Sequence, residues 1–308
     1  MSHIVRFASI LVAMAKFPHA TGCWTLLPLV HLAPFFALAN PPQAVPSSPL
    51  GYTITWSDEF NSPDGTTPDP AKWTYDLGGN GWGNEELEFY TNHPQNAHIK
   101  SGNLVITAQK ESTTSGAVTR EYTSARIKTQ NLFSQAYGRF EARIKIPKGQ
   151  GIWPAFWMLG DDISTVNWPK CGEIDIMENI GKEPAAVHAS LHGPPDPASG
   201  KPTADLTTKF SLPGNPKLAD DFHLYAAEWD PTELRFYIDQ TNYATFTRKQ
   251  WPASAPWPFH HKFFLILNLA VGGKWPGNPD NSTVLPQQML VDYVRVYSRT
   301  LDTPTAQR

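Results

Sequence analysis

The chain has 308 residues, of which 41% are hydrophobic and 17% are charged, and its formal net charge at neutral pH is −3. A chain of this length can bury one large apolar core or two small ones. The weak negative charge gives no basic surface for nucleic acid and no polybasic patch for a membrane. The balance therefore favours a neutral or weakly polar partner over a polyanion.

The N-terminal segment has the features of an export signal. No acidic residue precedes Asp58, and an apolar run over residues 24–39 follows Arg6 and Lys16. The run ends in Ala-Leu-Ala, the small-x-small pattern of a signal-peptidase site. A membrane anchor is the alternative, but the run is short for a span and contains two prolines. We therefore predict that residues 1–39 are a cleaved signal, that the protein is secreted or periplasmic, and that no membrane attachment remains.

The two cysteines fall on opposite sides of the predicted cleavage site. Cys23 leaves with the signal, and Cys171 then has no partner. An exported domain without a disulfide must rely on its apolar core. The segment before the apolar run is long, which leaves open a start at Met14 and a shorter signal.

The rest of the chain divides into a leader, one domain and a tail. Residues 40–50 contain four prolines and predict an extended leader. Residues 51–299 contain no second linker and no repeat, so they predict a single domain. Residues 300–308 are predicted to be a C-terminal tail.

Short segments of alternating apolar and polar residues dominate the domain, as half-buried strands require. In chain order the clearest segments are residues 104–108, 140–146, 234–238, 243–246, 263–269 and 290–297. Residues 100–103 and 239–242 contain the Gly, Asn and Asp typical of turns. Many short antiparallel strands predict an all-β fold, either a sandwich or a barrel.

Residues 169–179 contain three carboxylates within a strand-like segment. In a regular strand Glu173 and Asp175 share a face, whereas Glu178 lies on the opposite one. A bulge near Ile176 or Met177 would return Glu178 to the face of the other two. Because like charges at close range raise at least one pKa, folds rarely keep such an arrangement without a use.

Hydrolysis of a glycosidic bond with retention would use such an arrangement. It needs two carboxyl groups about 5–5.5 Å apart, one ionised for attack and one protonated for the leaving oxygen. Neighbouring positions on one strand face lie roughly 7 Å apart, and Glu side chains can close the gap. Asp175 can hydrogen-bond the nucleophile and help to keep the acid protonated.

Solvated surface acids are one alternative, which the interleaved apolar residues disfavour. A calcium loop is the other, but its usual glycine-containing spacing is missing.

The heptapeptide GEIDIME at residues 172–178 resembles the signature of glycoside hydrolase family 16, in the bulged form of laminarinase-like β-1,3-glucanases. Other segments are similar to that branch in the same order, over residues 56–60, 81–91, 151–159, 188–193, 267–277 and 291–297. The resemblance extends from about residue 52 to 297. It implies a β-jelly-roll sandwich of two antiparallel sheets with a concave substrate cleft.

The resemblance implies three catalytic roles, with Glu173 as nucleophile, Asp175 as its assistant and Glu178 as acid/base. It also implies that five further residues bind sugar, namely Asn84, Arg126, Trp153, Trp157 and Trp275. A solvated Asn or a surface Arg is the alternative for the two polar residues, and core packing is the alternative for a lone Trp.

Two histidines follow on the strand predicted after the carboxylates. His192 is in line to approach Glu178 or a bound sugar, and we predict that it forms hydrogen bonds there. His188 lies four residues earlier and shares its face. Two histidines without a third ligand do not make a metal site.

Three further residues resemble a structural calcium site on the convex face of many family members. They are Glu59, the backbone oxygen of Gly102, and Asp292. Oxygen ligands suit calcium, and such a site would join the first strand to the last. Ordinary surface acids are the alternative. No cofactor is expected for catalysis.

Together these features predict a secreted retaining endo-β-1,3-glucanase acting on laminarin-like polysaccharide, with mixed β-1,3/1,4 chains as a further substrate class. One alternative is a related hydrolase of agarose or carrageenan, although sulfated substrates favour a more basic cleft than the net charge indicates. The other is a sugar-binding protein on the same fold, although relatives that only bind tend to lose the glutamates. We expect a monomer.

Overall fold

The computed structural model describes residues 48–300. The predicted export signal, Cys23, most of the proline-rich leader and nearly all of the C-terminal tail lie outside the described residues. The strands begin at Tyr52 and end at Arg299. Within this part of the chain no helix is long and apolar enough to cross a membrane.

Strands account for nearly all of the regular structure, and the described helix α1 (Ile163–Val166) is a single turn. The strands in chain order are β1 (Tyr52–Asp58), β2 (Thr74–Asp76), β3 (Glu88–Tyr90), β4 (Ala97–Lys100), β5 (Asn103–Ser115), β6 (Val118–Ser124), β7 (Arg126–Lys128), β8 (Gly138–Lys145), β9 (Ile152–Gly160), β10 (Glu173–Glu178), β11 (Ala186–Gly193), β12 (Ala204–Ser211), β13 (His223–Trp229), β14 (Glu233–Ile238), β15 (Thr241–Thr247), β16 (Phe263–Val271) and β17 (Gln287–Arg299).

The strands form two sheets that pack as a jelly-roll sandwich. The larger sheet has ten strands in the order β15-β14-β13-β8-β17-β5-β6-β3, with β1 paired to β17 and β4 to β5. The smaller sheet has seven strands in the order β12-β11-β10-β9-β16-β7-β2. All strand pairs are antiparallel except β3 with β6. The all-β sandwich expected from the sequence is confirmed, and each predicted strand segment falls on an observed strand.

The apolar core lies between the sheets, but one strand, β16, is buried on both faces. Every residue of β16 is buried. Its core-facing side chains, including Phe263 and Leu265, belong to the main cluster between the sheets. Its other face carries Phe264 and Ile266, which pack with Leu159 and Cys171 beneath the connection between β9 and β10. The prediction that residues 263–269 alternate like a half-buried strand was wrong, because the cover on its second face lets β16 be an almost continuous apolar run.

Gly172 sets the entry into β10. Its φ of +78° is a left-handed conformation that side chains rarely adopt, and an added Cβ would lie 2.9 Å from the Phe263 ring. The chain can therefore turn tightly over the core immediately before Glu173.

The bulge predicted in β10 is present. The register of β10 shifts against β9 between Asp175 and Met177, and against β11 between Asp175 and Glu178. Ile176 and Met177 are consecutive, yet both are fully buried in the core cluster. Two neighbouring side chains on one side of a strand are the result of an extra residue. Glu178 therefore returns to the face of Glu173 and Asp175.

This bulge generates a prediction about stability. Deleting Met177 restores simple alternation and keeps the following glutamate on the outer face, so its cost is that of losing a buried methionine, about 2–5 kcal/mol. Inserting Ala between Met177 and Glu178 also gives an even spacing from Glu173, so a regular strand keeps the carboxylate on the outer face and places Ala where Met177 fills the core. Urea unfolding should show similar losses of unfolding free energy for the deletion and insertion variants.

The matched control is Met177→Ala, which removes the side chain and leaves the register unchanged. It should lose about as much free energy of unfolding as the deletion. A deletion or insertion variant far less stable than Met177→Ala would contradict this account of the bulge.

Candidate active site

The outward face of the seven-stranded sheet presents side chains in rows, because antiparallel register aligns alternate residues across strands. The first row contains Asp205, His192, Glu173, Leu159 and Phe264. The second contains Thr207, Ser190, Asp175, Trp157, Ile266 and Lys128. The third contains Lys209, His188, Glu178, Ala155, Asn268, Arg126 and Asp76. The three predicted catalytic carboxylates thus occupy one column, one in each row.

A cleft of about 400 Å³ lies over this face. Its lining combines acids, indoles and polar side chains, which include Glu86, Glu173, Asp175, Glu178, Trp82, Trp153, Trp157, Trp168, Asn84, Arg126 and Asn268. Indole faces with a few convergent polar groups are the combination that binds sugar rings. Of the residues that the sequence assigned to sugar binding, Asn84, Arg126, Trp153 and Trp157 line the cleft, whereas His192 and Trp275 lie beside it.

Each of the two glutamates predicted to be catalytic is held by an indole N–H. Trp168 Nε1 donates to Oε2 of Glu173 at 2.7 Å, and Trp153 Nε1 donates to Oε1 of Glu178 at 3.0 Å. Burial raises the pKa of Glu173, and Glu178 adds to the rise, but His192, Trp168 and Arg126 oppose it by favouring the ionised form.

Glu178 has the environment of a carboxylic acid that stays protonated. Burial, reinforced by the negative charge of Asp175, raises the pKa of Glu178 to about 8. His192 and the hydrogen bond from Trp153 oppose this rise only partly. Because Trp153 occupies Oε1, the proton is carried by Oε2, which is the oxygen available to a substrate.

Asp175 lies between the two glutamates and forms an ion pair with His192. His192 Nε2 is 3.3 Å from Asp175 Oδ2, and His192 Nδ1 is 2.7 Å from Asp205 Oδ1. Burial and the charge of Glu173 raise the pKa of Asp175 to about 7. Burial lowers the pKa of His192, but its two aspartate partners outweigh burial and raise it to about 11. The ring is therefore a cation at neutral pH.

This contact corrects the prediction for His192. The sequence placed it in line with Glu178 or a sugar, but the strand register puts it opposite Glu173, and its ring reaches Asp175 instead. His188 is the residue opposite Glu178. Burial lowers the pKa of His188, which packs edge-on against Trp275 with ring centroids 4.9 Å apart.

Among the described residues, one group of three or more His, Cys, Asp or Glu side chains has ligand atoms close enough to surround an ion. These are Glu173, Asp175 and His192, whose atoms lie within 4.8 Å of one another. Both nitrogens of His192 already face carboxylates, so the ring offers no free lone pair. The group is therefore two carboxylates paired with one imidazolium, and it does not fit a metal.

Arg126 is enclosed on the floor of the cleft. Its guanidinium lies 5.0 Å from the Trp82 ring centroid and 4.6 Å from that of Trp157. Its Nε is 2.9 Å from Asp76 Oδ2, and Lys128 pairs with the other oxygen of Asp76. A guanidinium fixed by aromatic stacking and an ion pair is ready to donate to sugar hydroxyls without losing rotamer freedom.

A chain of hydrogen bonds connects the Trp157 indole to the opposite side of the cleft. Trp157 Nε1 donates to Asn268, the amide of Asn268 donates to Tyr90, and the Tyr90 hydroxyl donates to Glu86. Asn84 Nδ2 donates to the second oxygen of Glu86 at 3.0 Å. Asn84 is therefore held by Glu86, and both side chains line the cleft, where their remaining polar atoms can contact a ligand.

Trp275 extends the aromatic surface beyond the cleft. Its side chain is 37% exposed and meets Trp153 edge-to-face at 5.3 Å between ring centroids. Trp275 can therefore contact a chain that continues past Glu178.

The residues predicted to bind calcium lie along one side of β17. Glu59 follows the end of β1 and Gly102 precedes the start of β5, whereas Asp292 lies within β17, where its register against β8 shifts. Both oxygens of Glu59 accept hydrogen bonds from Arg295, and Asp292 accepts one from Arg143. The oxygen donors are of the type that calcium prefers, but arginines already balance both carboxylates. Calcium binding there stays a prediction.

The structure adds residues that sequence reasoning did not assign to the site, namely Glu86, Asp205, Trp168 and Asn268. Trp168 stands five residues before Glu173, and its proximity in sequence was the available signal. Glu86 lies within the segment 81–91 that carried the family resemblance. Asp205 had no signal, because its position depends on the register between β11 and β12.

The geometry defines a carbohydrate-cleaving site, in which one protonated and one ionisable carboxyl share a cleft lined with indoles. The family model for glycosyl hydrolases family 16 matches residues 84–295, so the chain belongs to that family.

The chain is similar to a β-glucanase of Rhodothermus marinus, with 42% identity over 80% of this chain and 85% of that protein. It is 37% identical to glucan endo-1,3-β-glucosidase A1 of Niallia circulans over 80% of this chain, but it spans only 38% of that longer protein. Among solved structures it is similar to the laminarinase catalytic domain of Thermotoga maritima MSB8. That match has a TM-score of 0.74 and 43% identity, and covers 80% of this chain and 98% of that one.

The raised pKa of Glu178 predicts a pH-dependent effect on stability. A carboxyl with a pKa of about 8 in the fold and about 4.3 when unfolded stabilises the protein fully below pH 4.3. That contribution is lost as the pH rises to 8, because the folded state then holds a buried charge. Glu178→Gln cannot ionise, so its melting temperature relative to the wild type should rise from pH 4 to pH 8 and level off above pH 9.

Glu121→Gln is the matched control, because Glu121 is exposed on β6. Its melting temperature should follow that of the wild type at every pH. A difference between Glu178→Gln and the wild type that stays constant from pH 4 to pH 9 would show that Glu178 is not held protonated.

Proposed function

We propose that this protein is a retaining endo-β-1,3-glucanase that hydrolyses laminarin-like polysaccharide by double displacement. The observation that carries the proposal is the bulged strand β10, which places Glu173 and Glu178 on one face of an indole-lined cleft. The activities named for the similar β-glucanase, endo-1,3-β-glucosidase and laminarinase support this substrate class.

In the first step Glu173 attacks the anomeric carbon while Glu178 gives its proton to the leaving oxygen. The glycosidic C–O bond breaks, and a bond forms between the sugar and Glu173. Trp168 holds one oxygen of Glu173, so the other is free to attack. His192 balances the negative charge of Asp175, which allows Glu173 to ionise beside it.

In the second step Glu178, now ionised, accepts a proton from water as that water attacks the anomeric carbon. The bond to Glu173 breaks, and the sugar leaves with its original configuration. Charge returns to Glu173, and Glu178 is protonated again. The two glutamates exchange protonation roles between steps, and the surrounding groups fit this exchange because Trp153 leaves Oε2 of Glu178 open.

Mixed β-1,3/1,4 chains are a further proposed substrate. One relative, 32% identical, is an endo-1,3-1,4-β-glycanase of Rhizobium meliloti. A different class of function is represented by a β-1,3-glucan-binding protein of Penaeus monodon, which is 33% identical. This chain keeps both glutamates and Asp175 in one column, which favours catalysis over binding alone.

Chemical rescue tests the proposed roles. Glu173→Ala should lose hydrolysis of laminarin and recover turnover of an aryl β-laminaribioside when azide is added, giving a glycosyl azide of inverted configuration. Glu178→Ala should give the azide of retained configuration, because its nucleophile is intact. Product configuration is measured by proton NMR.

Glu121→Gln serves as the control in a reducing-sugar assay and should match the wild type. Equal sugar release by the wild type and Glu173→Gln would remove this site as the source of hydrolysis. Swapped azide products would exchange the roles of the two glutamates.

We also propose that the protein is exported, as the apolar run at residues 24–39 and its Ala-Leu-Ala end indicate, and that it acts as a monomer. Expression of the full chain should give a protein outside the cytoplasm that begins at Asn40, as determined by N-terminal sequencing. The control is a variant with Ala37 and Ala39 changed to Asp, which should stay uncleaved. Recovery of the uncleaved wild-type chain from the cytoplasm would contradict the proposal.

A further inference from the structure

Strand β12 forms the edge of the seven-stranded sheet, and it brings one carboxylate to the catalytic column. Asp205 lies directly opposite His192, in the row that contains Glu173. Asp205 Oδ1 is 2.7 Å from His192 Nδ1. Its other oxygen accepts a hydrogen bond from Thr203 Oγ1 at 3.0 Å. Both oxygens of Asp205 are therefore fixed, and one of them is aimed at the imidazole.

His192 is consequently held from both sides. Its Nε2 is 3.3 Å from Asp175 Oδ2, so one ring connects an aspartate of β10 with an aspartate of β12. Nδ1 has a hydrogen bond to Asp205 and Nε2 an ion-pair contact with Asp175, so the surroundings favour a ring that is protonated on both nitrogens.

The other charged groups around the ring are acids, which also favour its protonated form. From β10 it faces Glu173 and Asp175, and Glu178 lies further along the same strand. From β12 it faces Asp205, whose own pKa is lowered by the hydrogen bond to His192 and, to a smaller extent, by Lys201. The cation therefore stands among acids and is the positive charge nearest to Asp175.

We propose that Asp205 is a positioning residue for the hydrolytic reaction. It holds His192 as an imidazolium with Nε2–H directed at Asp175, so that Asp175 and Glu173 can both be ionised when the nucleophile attacks. The proposal rests on the proposed glucanase function, and it assigns Asp205 no contact with the substrate.

The physical reason is charge balance within a buried cluster. Two adjacent carboxylates without a cation share a proton, because the second ionisation is opposed by the first. If Asp205 no longer orients His192, the imidazolium is free to turn away from Asp175; the shared proton then neutralises Glu173 for part of the time, and a protonated Glu173 cannot attack. Asp205 contacts His192 and Thr203 and neither glutamate, so it acts on Glu173 through His192 and Asp175.

The position of Asp205 separates this role from a structural one. Its side chain is 31% exposed on an edge strand, and it takes no part in the apolar core. Asp205→Asn keeps the shape of the side chain and removes the charge. The variant is therefore expected to fold with a melting temperature close to that of the wild type.

The first test measures the imidazole directly. Full-length protein labelled with ¹⁵N-histidine is titrated by NMR, and the signal of His192 among the ten histidines is assigned from its loss in His192→Gln. In the wild type both ring nitrogens should stay protonated through pH 8. In Asp205→Asn the ring should titrate at least about one pH unit lower, the effect of losing one hydrogen bond to a charged group.

The second test measures the reaction. With laminarin, Asp205→Asn should lower kcat by about tenfold or more and leave KM unchanged. The acidic limb of the kcat/KM profile should move to higher pH, because Glu173 then ionises less readily. A raised KM with unchanged kcat and an unmoved profile would overturn the proposal and make Asp205 a sugar-binding residue.

The chain offers a matched control in the other sheet. His223 Nδ1 is 2.9 Å from Asp239 Oδ2, so Asp239→Asn removes the same kind of pair away from the cleft. That variant should leave kcat, KM and the pH profile unchanged. An equal fall in kcat for Asp239→Asn and Asp205→Asn would show that the effect comes from general loss of stability, and the proposal would fail.

A second variant covers the case in which Asp205→Asn does not fold. Thr203→Val removes the hydroxyl that orients Asp205 and leaves the carboxylate in place. It should move the acidic limb in the same direction by a smaller amount. An unmoved limb together with an unchanged His192 titration would contradict the proposed role.

The two readouts also separate this inference from the proposed function. Failure of the glucanase proposal would appear as no hydrolysis by the wild type, while the NMR titration of His192 would still respond to Asp205→Asn. Failure of the inference would appear as hydrolysis by the wild type together with a His192 titration that is the same in Asp205→Asn as in the wild type.

Discussion

The extra residue in β10 is the constraint on which the site depends. Strand geometry alternates side chains between faces, so Glu173 and Glu178 would lie on opposite sides of a regular strand. The bulge sends Ile176 and Met177 into the same core and returns Glu178 to the outer face. Apolar burial and catalytic geometry are therefore satisfied by one irregularity, and each depends on the other.

The column of three carboxylates creates an electrostatic cost that the surrounding structure offsets. Two indole N–H groups, from Trp153 and Trp168, each hold one oxygen of a glutamate. His192 supplies the cation that faces Asp175. The glutamates thus have neutral donors beside them, and the aspartate has a cation. In these surroundings the pKa of Glu178 is about 8, as a proton donor at neutral pH requires.

The sequence predicted more of the fold than of the electrostatics. Alternation located strands such as β8 and β14, and the turn cluster at residues 239–242 falls at the hairpin between β14 and β15. For β16 the apolar run has no alternation, because the connection between β9 and β10 covers its second face. The spacing of Glu173, Asp175 and Glu178 was enough to require a bulge, since regular alternation could not bring them together.

The sequence by itself determined the identity and spacing of the carboxylates predicted to be catalytic, because local strand geometry relates residues that are close in the chain. Only the tertiary structure decided that His192 pairs with Asp175 and that Asp205 stands behind it. Those contacts cross three strands, and their register depends on pairing between segments far apart in sequence. Charge state follows from such contacts, so the raised pKa of Glu178, which suits a proton donor, became visible only in the folded protein.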